Sequence, residues 1–288
     1  MSVFFFTPNT TTTKKALLEA KWRKTKTDVD WWISEWVQRR YGDIAANLSS
    51  VNDAWKILKK EVHSSPFHEV SFVELRPSFE GLESETEWSG HAVAEIGGGR
   101  LAISPNENER ASAEGLWEAW GKMLEGSKEL GKVETFKHDI SILGREVLAN
   151  LFMKLRVEFH AAYKRKDATK VEEIGKKMIG LIADMDRLLG TTRTQLLGKW
   201  LADARTCAAP ATEVDLFEFN ARNQVTMWGP TGEINDYARK SWSGLYSSYY
   251  QPRWSLFIKE VSDAVRSGKD FSQDDFNDDC LEIGRAHV

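Results

Sequence analysis

The sequence has few of the residues that build disulfide frameworks and metal centres. Only two of its 288 residues are cysteines and six are histidines. Two cysteines, Cys207 and Cys280, are too few for a disulfide framework or for a cysteine-based zinc site. The histidines show no metal-ligand spacing, and the nearest pair, His63 and His68, flanks a proline turn. We therefore expect neither a metal nor a cofactor.

Long apolar runs and an excess of positive charge are also missing. No stretch approaches the roughly 20 apolar residues that cross a bilayer, so no membrane partner is expected. The net charge of -4, from 39 basic and 43 acidic residues, provides no basic surface for nucleic acid. The N-terminal MSVFFFTPNTTTTKK has a short apolar run and no basic start, which does not fit a secretory signal peptide. As written, the sequence predicts a cytoplasmic chain.

Motifs of the common catalytic classes do not occur. The glycine run at 97–99 lacks the Lys-Ser/Thr of a phosphate-binding loop, and there is no G-x-S-x-G or H-E-x-x-H pattern. Adjacent acids such as Glu172 with Glu173, or Asp274 with Asp275, are typical of solvated helix faces. No motif assigns a catalytic residue to this chain.

Tryptophan, by contrast, is abundant, with twelve residues spread along the chain. Tryptophan rings bury large areas while the indole N–H still needs a partner, so they serve both helix packing and the walls of sugar-binding clefts. Composition alone leaves both uses open.

Helical periodicity dominates the chain. Asp28 is a candidate N-cap and Gly42 a stop for a helix between them, and a second helix is predicted over 51–62. The strongest signal runs over 133–166, where apolar residues recur every three or four positions. These positions are Phe136, Ile140, Leu143, Val147, Leu151, Leu155 and Phe159.

Further helices are predicted over 171–189, 194–206 and 212–227, the last opening with a TEVD capping box. Another would carry Tyr237 to Tyr249, and Pro252 would start or kink a final one. No alternating pattern of strands appears. The sequence predicts an all-α fold, an irregular bundle of long antiparallel helices with one irregular loop region at about 63–112, of which 81–112 is a loop or insertion.

One stretch interrupts this pattern, TMWGPTGEINDYARKSWSGLY at 226–246. Gly229, Pro230 and Gly232 favour a tight turn. The turn could simply connect two helices, or it could form the lip of a binding cleft.

The flanking residues carry the same two interpretations. Trp228 could stack on a sugar ring or pack in the core. Glu233 and Asp236 could cap the next helix at its positive end or accept hydrogen bonds from sugar hydroxyls, and the capping role is favoured.

Several segments together resemble a known family. In order they are DWWISEWVQRRYG, RPSF, GLWEAWGKML, FKHDISILGREVLANLF, LLGKWLADAR and FEFNARNQVTMWGPTGEINDYARKSWSGLYSSYYQPRW. They resemble the C-terminal helical domain of the alpha-N-acetylglucosaminidases, glycoside hydrolase family 89, over residues 28–283. Residues 1–27 match nothing in the family, the tract at 81–112 is longer than usual, and 284–288 form a truncated tail.

The resemblance implies retaining hydrolysis of terminal alpha-linked N-acetylglucosamine, with two glutamates on a (beta/alpha)8 barrel that precedes the helical domain. The barrel is the implied partner, and it is missing from these residues. The full-length family implies a secretory or lysosomal (vacuolar) location. In the turn, Trp228, Glu233, Asp236 and Tyr237 become candidate substrate-binding residues. Structural or barrel-interface roles fall to Trp32, Arg40, Arg76, Gly229, Pro230 and Gly232.

Two hypotheses follow. The chain is either an accessory domain that completes the cleft of a glycosidase and is inactive alone, or a stand-alone module that binds a protein or a glycan. It could be a gene fragment or a genuine shortened paralogue.

Overall fold

Helices account for most of the described chain. The computed structural model describes residues 18–19, 21–22, 24, 28–60, 71–80, 82, 94–96, 100–102, 113–229, 236 and 238–287. The α-helices are α1 (Val29–Tyr41), α2 (Ser49–Leu58), α3 (Ala113–Glu125), α4 (Ser127–Leu130), α5 (Glu134–Lys164), α6 (Ala168–Leu189), α7 (Leu197–Thr206), α8 (Val214–Val225), α9 (Gln251–Arg266) and α10 (Gln273–His287). The predicted all-α fold is confirmed. None of the described helices has the length and apolar character needed to cross a bilayer.

Short 3₁₀ and strand segments complete the described secondary structure. Single 3₁₀ turns form at Asp43–Asn47, Phe72–Glu74 and Ala211–Glu213. Two three-residue strands, β1 (Ala94–Ile96) and β2 (Arg100–Ala102), pair antiparallel within the tract predicted as a loop or insertion.

The chain divides into two compact units. The first comprises Met1–Val70 and Gly90–Val147, and the second comprises Ser71–Ser89 and Leu148–Val288. Helix α5 contributes its first 14 residues, 134–147, to the first unit and the remainder to the second.

The core of the first unit is built from α1, α2, α3 and the start of α5. Its rings include Trp32 stacked on Trp36 at 5.8 Å and Trp55 edge-on to Trp36 at 6.4 Å. Helix α1 begins as predicted, because the Asp28 side chain accepts hydrogen bonds from two backbone amides of the first turn. It ends at Gly42, whose φ of 94° lies in the left-handed region that suits glycine.

The core of the second unit lies between α6, α9, α10 and the later half of α5. Helices α6 and α9 approach closely at Gly175, where an added Cβ would lie 2.4 Å from the Ile258 Cγ2. Trp254 and Phe257 of α9 are buried beside Phe152 and Phe276.

The apolar repeat predicted for α5 is correct over its first half and again at the buried Phe159, but not at Leu151. Phe136, Leu143 and Val147 are buried as expected. Leu151, however, is 37% exposed, and the adjacent Phe152 is fully buried. The change occurs where the helix passes from the first unit to the second, so one helix serves two cores with different sets of positions.

Two predicted features near α8 are wrong. Helix α8 begins after a 3₁₀ turn with Glu213 as N-cap and without a side-chain cap, so the TEVD capping box does not form. The helix predicted from Tyr237 is also not seen in the described residues 238–244, and the chain becomes helical only around Tyr246, as a π-turn.

Tertiary hydrogen bonds explain the missing helix. Ser243 exchanges backbone hydrogen bonds with Gln195 and Leu197, which holds it extended. The Asp186 carboxylate then accepts from the amides of Gly244 and Ser247, at 2.7 and 3.1 Å, and so caps the π-turn.

Helix α10 was not predicted. Phe276, Cys280 and Ile283 recur at helical spacing, but the four acids between 274 and 279 obscured the pattern. Phe276 and Cys280 are both buried.

Candidate functional site

Asn223 accepts three hydrogen bonds from the turn after α8. The carbonyl oxygen of Asn223 accepts from the amides of Thr226 and Trp228, and its side-chain oxygen accepts from the amide of Gly229. Trp228 is half-buried and has a φ of 45°, a left-handed conformation that a bulky residue adopts only when the surroundings impose it. The turn therefore fixes the backbone that carries the Trp228 ring.

Asp236 lies beyond the turn in a buried ion pair. Its carboxylate accepts from both terminal nitrogens of Arg253, at 2.6 and 2.8 Å. Asp236 is 8% exposed and Arg253 is fully buried. The Asp236 amide donates to the Thr226 carbonyl at 3.4 Å, which brings the two ends of the intervening segment together.

Two tyrosines complete the surroundings of Arg253. Its guanidinium lies over the Tyr249 ring at 4.6 Å and near the Tyr250 ring at 6.0 Å. Burial raises the pKa of Tyr249 to about 12, so its hydroxyl stays neutral at physiological pH. Burial alone would lower the pKa of Arg253, but Asp236 outweighs it and holds that pKa well above its usual value. The Arg253 guanidinium therefore stays charged although it is fully buried.

The RPSF motif is tied to the same part of the second unit. The Trp254 indole donates to the Val73 carbonyl at 3.0 Å, and Arg156 donates to the carbonyls of Ser78 and Glu80. Arg76 is half-buried. Burial raises the pKa of the Cys280 thiol, and the charge of Arg76 is one of the smaller effects that oppose this rise.

Glu74, which the sequence interpretation missed, precedes this motif. It is 6% exposed and accepts from the hydroxyls of Tyr246 at 2.5 Å and Ser241 at 2.6 Å. The only signal in the sequence was an acid beside an otherwise apolar FVEL stretch. Glu74 and Asp236 thus both act as buried hydrogen-bond acceptors.

The remaining predicted residues of the turn cannot be compared with the structure. Pro230, Gly232, Glu233 and Tyr237 lie outside the described residues. Gly229 is described, and its φ of 131° is one that side-chain-bearing residues rarely adopt.

Trp32 and Arg40 belong to the first unit. Trp32 is 4% exposed and donates through its indole to Glu19 at 2.7 Å. Arg40 makes a bidentate pair with Asp139, which also accepts from the Tyr41 hydroxyl at 2.7 Å. Within the described ranges, no three His, Cys, Asp or Glu side chains are grouped so that they could hold a metal ion.

The chain matches the model of a known protein family. The model of the alpha-N-acetylglucosaminidase (NAGLU) C-terminal domain matches residues 32–288.

The chain belongs to this family.

Individual members of the family agree with the assignment. Human alpha-N-acetylglucosaminidase is 28% identical over 274 residues, which are 94% of this chain and 34% of the human protein. The chain therefore spans about a third of the length of this curated relative.

Solved structures show the same fold. A family 89 glycoside hydrolase from Clostridium perfringens, in complex with its substrate GlcNAc-alpha-1,4-galactose, superposes with a TM-score of 0.77 over 94% of this chain and 30% of that one. The complex of the family 89 enzyme from the same organism with PUGNAc gives 0.74 over 91% and 29%. Sequence identity is 24% in both cases.

Proposed function

We propose that residues 28–283 act as the helical C-terminal domain of a retaining alpha-N-acetylglucosaminidase. In this proposal the domain completes the substrate cleft of a (beta/alpha)8 catalytic barrel, residues 1–27 lie outside it, and 81–112 are an insertion. The family match over residues 32–288 carries the proposal.

A retaining glycosidase needs two carboxylates about 5–5.5 Å apart, one as the nucleophile and the other as the acid/base. The resemblance assigns both to the barrel, and the buried carboxylates of Asp236 and Glu74 are already engaged by Arg253 and Tyr246. We therefore expect no catalysis by this chain alone.

Terminal alpha-linked N-acetylglucosamine is the proposed substrate. The human relative is named for removing this sugar, and the bacterial relative was solved with GlcNAc-alpha-1,4-galactose. Trp228 would stack on the sugar. Asn223 fixes its backbone, and its half-buried ring keeps part of its surface available for a sugar. Glu233 and Tyr237 would form hydrogen bonds with sugar hydroxyls. Asp236 would support these two residues through its ion pair with Arg253.

The test is turnover of a chromogenic alpha-N-acetylglucosaminide. The purified chain alone should give the buffer rate, whereas a chimera in which this chain replaces the aligned third of the human relative should hydrolyse the substrate. In the chimera, Trp228→Ala should raise KM at least about tenfold, since stacking against a ring contributes on the order of 1–3 kcal/mol.

Three results would contradict the proposal. The first is turnover by the isolated chain that is lost when one of its own carboxylates is replaced. The second is a chimera without activity. The third is that the isolated chain binds N-acetylglucosamine oligomers as tightly as the chimera does, as measured by calorimetry. The last would favour the stand-alone glycan-binding module instead.

A further inference from the structure

The side-chain amide of Asn223 has a fixed orientation. Its Oδ1 accepts from the Gly229 amide at 3.2 Å, while the main-chain oxygen of the same residue accepts from the Trp228 amide at 2.7 Å. A backbone N–H can only donate, so the side-chain atom that faces Gly229 is the oxygen and not the nitrogen. The nitrogen, Nδ2, therefore presents its two N–H groups in a defined direction beside the turn.

The Nδ2 atom of Asn223 is available to a ligand. It has no hydrogen-bond partner among the described residues, and it does not belong to the enclosed polar atoms of the described chain that lack one. Asn223 is half-buried, so solvent reaches this nitrogen. A ligand oxygen can replace that solvent without breaking a contact within the protein.

Holding the turn uses only the acceptor half of this amide. The donor half lies next to the backbone of Trp228, the candidate stacking residue, because Oδ1 binds the amide that directly follows it. Ligand sites combine apolar and aromatic surface with a few fixed polar groups that set the orientation of the ligand. Asn223 and Trp228 together supply one group of each kind from the same turn.

We propose that Asn223 is a specificity-determining residue whose Nδ2 donates a hydrogen bond to an oxygen of the N-acetylglucosamine that stacks on Trp228. The inference rests on the proposed function and adds a residue that the sequence interpretation missed. Stacking on Trp228 is open to any pyranose ring, whereas a donor in a fixed position selects a sugar with an oxygen at the matching point.

Two substitutions separate the donor of Asn223 from its acceptor. Asn223→Asp keeps an oxygen for the Gly229 amide and removes the donor, whereas Asn223→Ala removes both. Asn220, three residues earlier on α8, is exposed and makes no hydrogen bond within the described chain. Asn220→Asp is therefore the matched control, because it adds the same charge to the same helix without touching the turn.

Kinetics of the chimera with the human relative measure the contact with the sugar. Asn223→Asp should raise KM for the chromogenic alpha-N-acetylglucosaminide at least about tenfold, because a carboxylate then faces the sugar oxygen in place of a donor. The change in kcat should stay within about twofold, as expected for a contact made equally in the ground state and the transition state. Asn220→Asp should leave KM within about twofold of the unmodified chimera.

Two measurements on the isolated chain show whether the turn itself is preserved. Hydrogen exchange of the Gly229 amide should be unchanged in Asn223→Asp and at least about fivefold faster in Asn223→Ala, which lacks the acceptor. The two Asp variants should have similar melting temperatures, since each places a carboxylate near the negative end of α8. A difference in KM between them then reports the lost donor.

Each other outcome overturns the inference in a recognisable way. If the unmodified chimera is active and the two Asp variants have the same KM, Asn223 does not contact the sugar and the proposed function stands. A rise in KM for Asn223→Ala alone makes Asn223 a positioning residue that acts through Gly229. If Asn223→Asp lowers the melting temperature of the chimera but not of the isolated chain, the donor binds the catalytic part instead. An unmodified chimera without activity contradicts the proposed function itself.

Discussion

In the first unit a buried carboxylate pairs with an arginine at the edge of a core of stacked tryptophans, whereas in the second a buried carboxylate pairs with an arginine that is itself enclosed by tyrosines. In the first, Asp139 pairs with Arg40, whose side chain remains 18% exposed at the edge of the core. In the second, Asp236 pairs with Arg253, which is fully buried. A pair at an edge keeps part of its hydration, but a fully buried one depends on its partner completely. The stronger dependence lies beside the candidate sugar-binding turn.

The largest expected effect is loss of the buried pair. Asp236→Ala should lower the free energy of unfolding by about 3–5 kcal/mol, because it leaves the Arg253 charge buried without its partner. Asp139→Ala should cost less, about 2 kcal/mol, since water reaches Arg40. Urea denaturation of both variants measures the difference, and equal losses would contradict the comparison.

A double variant separates charge from packing at this site. Arg253→Met with Asp236→Asn removes both charges, and Asn tolerates the left-handed backbone of residue 236, where φ is 64°. It should recover more than half of the stability lost in Asp236→Ala. If it is no more stable than the single variant, packing of the guanidinium against Tyr249 is the dominant contribution.

The next effect concerns the close approach of α6 and α9 in the second unit. Gly175→Ala should cost about 1–3 kcal/mol, because the new methyl meets the stiff, β-branched Ile258. Gly180 lies on the same helix with open space around it, so Gly180→Ala should stabilise the chain by about 0.5–1 kcal/mol. Thermal unfolding of the two variants should therefore shift in opposite directions, and a common sign would rule out the steric explanation.

A smaller effect depends on pH. Burial, followed by the nearby Arg222 charge, lowers the pKa of His287 from 6.5 to about 4. The unfolded chain binds the proton first, so stability is fully present above pH 6.5 and falls as pH drops towards 4. After allowance for its partial exposure, the loss should be about 1–2 kcal/mol.

Replacing the histidine checks the assignment. His287→Gln should flatten the stability profile between pH 6.5 and 4 relative to the unmodified chain, with carboxylate titration common to both. Parallel profiles would show that His287 does not titrate as its burial implies.

The smallest effect is expected at the exposed pairs of α6. Lys170 and Lys177 lower the pKa of Glu173 to about 2, yet all three side chains are exposed. Solvent and salt screen such pairs, so Glu173→Gln should change the melting temperature too little to resolve at physiological ionic strength. A loss as large as that of Asp139→Ala would overturn the distinction between buried and exposed pairs.

Local signals in the sequence predicted most helices correctly. Asp28 and Gly42 bound α1 because an N-cap and a left-handed glycine act over one turn of chain. The length of α5 followed from its repeat, although the repeat did not reveal the shift from Leu151 to Phe152. Periodicity reports that a helix has an apolar side, but it does not report which neighbours that side meets.

The candidate site was only partly predictable. Trp228 and Asp236 were singled out by their place in an unusual turn, whereas Asn223, Arg253 and Glu74 were not. In the sequence, an arginine that will be buried looks the same as one that will be solvated, because its partner is not yet known. The sequence also did not reveal that Asp186 caps the turn at Gly244, in a segment that was predicted to be continuous helix, because Asp186 is distant in the sequence.

The sequence by itself determined the helical class, most helix boundaries and the family, because these depend on spacings of three or four residues and on contiguous motifs. Tertiary structure alone decided that Asp236 pairs with Arg253, 17 residues away, and that Glu74 meets Tyr246 across 172 residues. Such contacts depend on how distant helices pack, and a buried charge is stable only where that packing delivers its partner.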